Sequence, residues 1–204
     1  MNHPSFRGAS QYNHTVYETW NLSFAEIEAR ANKKSDVHGR EAACAAILIL
    51  ETAAFLHHEN IIEAAFRKAA MKFTKGYHSK LEEKVKICMS QLLQLEEDQS
   101  WNEFFFHEGI RVLMFLSLIK RGSSSSDIYA IHPLMHQWSR DRMTMSQKRC
   151  MIQVSKLMLV NCITEETTAD NIAFNRVPVP HIKTNYQSEG QNGFKRVFDD
   201  DQYS

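Results

Sequence analysis

The stretch Ile128-Tyr-Ala-Ile-His-Pro-Leu-Met-His-Gln-Trp-Ser-Arg-Asp-Arg142 constrains the fold more than any other part of the chain. Ile128 and Ala130 alternate with Tyr129 and Ile131, as an extended segment does. Pro133 then stands where a first helical residue would, its ring fixing φ and its missing N–H costing nothing there. Leu134, Trp138 and Met145 fall near one helical face, with Arg140, Asp141 and Arg142 on the flank. The pattern predicts a short strand that runs through His132 directly into a helix. His132 is the candidate functional residue. A helix N-terminus carries free N–H groups that favour anions, so an imidazole held there can contact a phosphate. The competing reading is a junction residue that hydrogen-bonds the local backbone.

Around this junction the chain reads as helices. Val16–Arg30 places Val16, Trp20, Phe24 and Ile27 at helical spacing. Glu41–Leu56 is apolar on most sides and predicts the most buried helix. Asn60-Ile-Ile-Glu63 has the form of a capping box, opening a helix to about Met71 that buries Ile61, Ala65, Phe66 and Ala69. Phe73–Ser79 is a break around Gly76, and Lys80–Leu95 is amphipathic through Leu81, Val85, Cys88 and Leu92. Ser100-Trp-Asn-Glu103 has the form of a second capping box. It starts a helix carrying Phe104, Phe105, Ile110, Leu113 and Met114 inward, with Phe106 facing outward as partner surface. Leu116–Lys120 and Ile128–His132 then read as strands of a hairpin whose tip is Gly122-Ser-Ser-Ser-Ser126. Gln147–Val160 predicts a last helix with Ile152, Leu157 and Val160 inward.

Helices followed by helix, hairpin and helix give the expected fold class: mainly α, a winged-helix-like helical domain with one β-hairpin wing. The expected organisation is a flexible leader over 1–14, the winged-helix domain over 15–162 and a linker or tail over 163–204. Val177-Pro-Val-Pro180 bars regular structure in that last segment, and Asn185–Ser204 predicts a poorly ordered end.

Several functions are disfavoured by the residues. Lys+Arg 24 against Asp+Glu 24 gives no net charge, which argues against a generic polyanion binder but not against one phosphate site. A winged helix can bind DNA through the helix before its hairpin. Trp101–Phe115 sets Glu103 and Glu108 against Arg111 alone, a poor surface for base or phosphate readout. Cys44, Cys88, Cys150 and Cys162 form no CxxC pair, which disfavours a zinc site, and most of them lie in apolar, helix-like runs and read as buried free thiols. His57, His58 and Glu59 are adjacent and point apart on a helix, so they read as a solvated helix end. His107-Glu108 lacks the second histidine of a zinc protease motif. No nucleophile arrangement stands out, and the chain is expected not to be an enzyme. No apolar run suits a signal peptide or a membrane span, so a cytoplasmic location is expected.

Three motifs also carry a resemblance. Val16-Tyr-Glu-Thr-Trp-Asn-Leu-Ser-Phe24, Ala54-Phe-Leu-His-His-Glu-Asn-Ile61 and Ile131-His-Pro-Leu-Met-His-Gln-Trp-Ser-Arg-Asp-Arg142 are similar, in this order, to the winged-helix region of fungal NB-ARC/STAND proteins. Asn171-Ile-Ala-Phe-Asn-Arg176 with Pro180-His-Ile-Lys183 has a looser similarity to the lead-in to their tetratricopeptide repeats. The resemblance implies a regulatory module that packs on a nucleotide-binding domain, in cis or in trans, and holds it in the ADP-bound state. It implies His132 as the contact to an ADP phosphate, and only when that partner domain is present. Pro133 stands where the family motif has an aspartate, and His136 falls one turn on, where packing or capping is expected. No GxxxxGK[ST] loop is present, so the chain by itself is expected to bind no ATP or ADP. The alternatives are a DNA-binding winged helix and a helical protein-interaction domain without nucleotide linkage.

Overall fold

The computed structural model describes residues 4–73, 81–122, 127–165 and 168–191, with side chains from Val16 onward. The chain is mainly helical and carries a small antiparallel sheet. Helices α1 (Pro4–Ala31) and α2 (Val37–Ala53) lead to strand β1 (Ile61–Ile62), then to α3 (Glu63–Phe73), α4 (Glu83–Leu92) and α5 (Glu103–Phe115). Strands β2 (Lys120–Arg121) and β3 (Ile128–Ala130) make the wing, and α6 (Pro133–Asp141), α7 (Met145–Cys162), α8 (Ala169–Arg176) and α9 (Pro178–Gln191) follow. The sheet order is β1-β3-β2, antiparallel throughout, with Ile61 opposite Tyr129 and Lys120 opposite Ala130. This is the winged-helix arrangement, a hairpin whose strand β3 also pairs with β1, which lies between α2 and α3. The first helix begins at Pro4 and so takes in most of the segment expected as a leader.

Helix α2 is the centre of the core, as its apolar composition predicts, and buries an unbroken run from Leu48 to Ala53. Its start is set by Asp36, whose carboxylate accepts the Gly39 N–H at 2.9 Å. Helix α5 crosses it closely at Gly109, where an added Cβ would lie 2.8 Å from both Ala45 Cβ and Ile49 Cδ1. Only a residue without a side chain permits that approach.

Several local expectations are overturned. Asn60 does not cap a helix: it sits at φ 56°, and Ile61–Ile62 extends to pair with β3. A ladder partner from β3 outcompetes the local cap. Glu63 then turns its buried carboxylate to Arg67 at 2.7 Å and His107 at 2.9 Å. The second expected cap also moves. Trp101 bridges to Leu95, which holds Ser100 and Trp101 outside the helix, and Asn102 accepts the Phe105 N–H instead. Phe106 faces inward with Gly109, Ile110 and Leu113, at i, i+3, i+4 and i+7, while Phe104 is 63% exposed. The wing's outer strand is only Lys120–Arg121, because Leu118 and Ile119 turn into the core before it. The tip residues 123–126 and the expected break at 74–80 lie outside the described residues.

After the wing, α6 ends at Asp141. Thr144 and Gln147 then form a capping box that the sequence reading passed over, and α7 starts anew. Met145 and Val160 are therefore exposed rather than core, and Met135 is buried where Leu134 was expected. Within the tail expected from residue 163, Ala169–Arg176 and Pro178–Gln191 are helical, and residues 192–204 lie outside the described residues. Pro178 and Pro180 do not bar α9 because they sit in its first turn, where N–H groups have no partner in the helix. Asn185 donates to Ser155 Oγ at 2.7 Å, and Lys156 pairs with Glu189 at 3.1 Å, seating α9 on α7. No helix among the described residues is long and apolar enough to cross a membrane.

Candidate anion-binding site at the end of the wing

The last residues of the wing are held before His132 is reached. Tyr129 and Ile131 are buried, and the Ile131 N–H donates to the His58 carbonyl at 2.8 Å. His132 then takes φ −60°, ψ 136°, an extended conformation favoured in the residue before a proline, and caps α6. Its Nδ1 accepts the Leu134 N–H at 3.2 Å. This bond fixes the ring by its inner nitrogen and leaves a proton on Nε2, which has no partner among the described residues. The side chain is exposed.

The local-backbone reading and the ligand reading of His132 are thus compatible, one for each ring nitrogen. The helix N-terminus itself offers less than expected: Pro133 has no N–H, and the Leu134 N–H is taken by the histidine. Any anion at this end of the wing would meet side chains rather than free backbone N–H groups. Lys120, opposite Ala130 in the wing and two residues from His132 in register, supplies a cationic group. Lys120, Ala130, His132, Met135, Ser117 and Trp20 line one surface cavity of about 220 Å³, whose lining contains no carboxylate. The sequence reading missed Lys120. Its place in the hairpin register was the signal that could have found it.

The platform beneath is tied together by side-chain contacts. Trp138 packs against Trp20 and Phe24 and donates to Asn21 at 3.0 Å, tying α6 to α1. Arg142 lies 3.4 Å from the Phe24 ring centroid and pairs with Glu28 at 2.9 Å and Glu51 at 3.2 Å. Burial holds the Glu51 carboxyl above its usual range despite Arg142.

His136 does not reach the cavity. It is buried, with Nε2 donating to the Leu56 carbonyl at 2.8 Å and Nδ1 accepting from Arg140 at 2.9 Å. Burial first, and the Arg140 charge second, push its pKa down to about 4. His57 and His58 are not a solvated helix end. They stack at 4.4 Å between His136 and His181 of α9, which the sequence marks only within the looser Pro180-His-Ile-Lys183 similarity and not as a partner of these rings. His181 accepts the His57 N–H at Nδ1 (3.0 Å) and donates to the Asn60 carbonyl from Nε2 (3.0 Å). Burial pushes its pKa down to about 4 as well. Among the described residues no three His, Cys, Asp or Glu side chains converge as metal ligands.

The outward face of α5 shows Phe104, Glu103 and Phe115, and its Arg111 is engaged by Glu108 at 3.0 Å. That face presents apolar and acidic groups where DNA readout needs free donors. Comparison with protein-family models, with curated proteins and with solved structures finds no match.

Proposed function

We propose that this chain is the regulatory winged-helix module of a STAND-type signalling NTPase. It packs on a nucleotide-binding domain, senses ADP through His132 and performs no catalysis of its own. The observation that carries this reading is the exposed His132, its Nδ1 engaged by the Leu134 N–H, lining together with Lys120 a cavity whose lining has no carboxylate. ADP held by the partner domain supplies the phosphate oxygens that these two groups recognise. His132 donates from Nε2 while its Nδ1 stays locked to the α6 backbone, so the ring is oriented before the anion arrives. A hydrogen bond to a charged group contributes about 1.5–3 kcal/mol, a factor of about ten or more in the closed-to-open ratio.

The test is ADP release from STAND-type nucleotide-binding domains of the same genome, each loaded with labelled ADP and mixed with this chain. Asparagine is a strong helix cap, so His132→Asn keeps the inner hydrogen bond, while its shorter amide leaves no donor at the position of the imidazole Nε2. Retention by the unsubstituted chain, and release faster by about tenfold with His132→Asn, is the expected result. Equal retention by both proteins overturns the assignment of His132. Lack of retention with any of the domains overturns the module reading itself.

A further inference from the structure

Cys88 in α4 and Cys150 in α7 are 62 residues apart in sequence, yet their sulfurs lie 4.0 Å apart. Both are free thiols, Cys88 half-buried and Cys150 buried. They differ in chemical environment. The Cys150 S–H points at the Cys88 sulfur as donor. That hydrogen bond, together with the charge of Lys84 one turn earlier on α4, lowers the Cys88 pKa against the opposing effect of burial. Cys150 is pushed up by the same hydrogen bond and by burial. Thiolate is the nucleophilic form, so the hydrogen bond from Cys150 and the lesser burial of Cys88 both favour Cys88 as the nucleophile.

We propose that Cys88 and Cys150 are a peroxide-sensitive thiol pair, with Cys88 the attacking sulfur and Cys150 the resolving one. The Cys88 thiolate attacks one oxygen of a hydroperoxide. An S–O bond forms, the O–O bond breaks, and the leaving oxygen takes up a proton. The sulfur is then a sulfenic acid and no longer the anion that held the Cys150 proton. Cys150 gives up that proton and attacks the Cys88 sulfur. The S–S bond forms, the S–O bond breaks and water leaves. Two thiols are oxidised and one peroxide is reduced. The sulfurs close from 4.0 Å to a bond of about 2.05 Å by side-chain rotation and a small shift of α4 on α7. The product staples α4 to α7 and shortens the unfolded chain's freedom across the segment between them, so it raises the melting midpoint.

The full chain treated with hydrogen peroxide, alkylated and mapped by mass spectrometry tests this. The expected result is a peptide joining Cys88 to Cys150, with the exposed Cys44 outside the linkage and the thiols restored by dithiothreitol. The melting midpoint rises on oxidation and returns on reduction. Cys150→Ser is expected to stop at a sulfenic acid on Cys88 that dimedone traps, and Cys44→Ser is expected to leave the cross-link intact. Oxidation confined to Cys44, a disulfide between two chains, or a Cys88–Cys150 pair that stays reduced would overturn the proposal. The wild-type peptide map decides this even if a serine variant fails to fold.

Discussion

Taking the protein from about pH 7 to about pH 4 is expected to remove about 6 kcal/mol of stability, through two buried histidines. His136 and His181 each use one ring nitrogen as donor and the other as acceptor, so the fold holds both rings neutral. A second proton on either ring would face the Arg140 guanidinium or the His57 N–H. Burial therefore lowers both pKa values from 6.5 to about 4. In the unfolded chain each histidine protonates near 6.5, whereas in the fold it stays neutral to about 4. The unfolded state binds more protons inside that window. Stability is complete above it, falls as pH drops through it, and levels off below.

At about 1.4 kcal/mol per pH unit the loss is about 2 kcal/mol for each ring by pH 5 and about 3 kcal/mol by pH 4. The first part of the fall precedes the ordinary carboxylate range. His58, lowered chiefly by burial and then by His57, adds in the same direction. Urea midpoints at pH 7, 6 and 5 measure the slope. Midpoints that do not move across this interval would show that the two rings are not held neutral by the fold.

The second large effect is at Phe106. Phe106→Ala is expected to cost about 3–5 kcal/mol, whereas Phe104→Ala two residues earlier should change stability by no more than about 0.5 kcal/mol. The Phe106 ring centroid lies 4.8 Å from that of Phe66, 5.3 Å from Trp101 and 6.0 Å from Tyr129. One side chain thus joins α5 to α3, to the loop before α5 and to the wing. The cavity left by truncation opens at the contact that sets the angle of the wing, where several elements would have to move together to fill it. Chemical denaturation of both variants separates them. A larger loss at Phe104 would mean that α5 presents its other face to the core.

The parts of the fold that were legible in the chain are those governed by neighbours in sequence. Alternation from Ile128 and the fixed φ of Pro133 marked the strand-to-helix junction, and the continuous apolar run of α2 marked the centre of the core. The misreadings occurred where a distant partner decided the local conformation. Asn60-Ile-Ile-Glu63 has good capping chemistry, but Tyr129 and Ile128 claim the two isoleucines for the sheet. Trp101 is drawn out of α5 by Leu95. Phe106 was the exception: its spacing to Ile110 and Leu113 was already visible and outweighed the argument from three consecutive phenylalanines. In the candidate site, His132 was readable because strand and helix meet at it. Lys120 could have been found from the hairpin register, whereas His181 and the Cys88–Cys150 pair arise from approaches between elements, which no local spacing encodes.

The proposed role rests on an imidazole that offers one nitrogen to an anion while its other nitrogen holds a helix. The most direct measurement is a titration of the full chain with inorganic diphosphate, followed through the nitrogen resonances of its histidine rings. Two charge-assisted contacts predict binding on the order of millimolar. The expected result is a saturable shift of the His132 ring, larger at Nε2 than at Nδ1, with the rings of His136 and His181 unmoved, and with the response lost in Lys120→Ala. A His132 ring that stays silent while diphosphate is raised well past that range, or histidines that all respond alike, would contradict it.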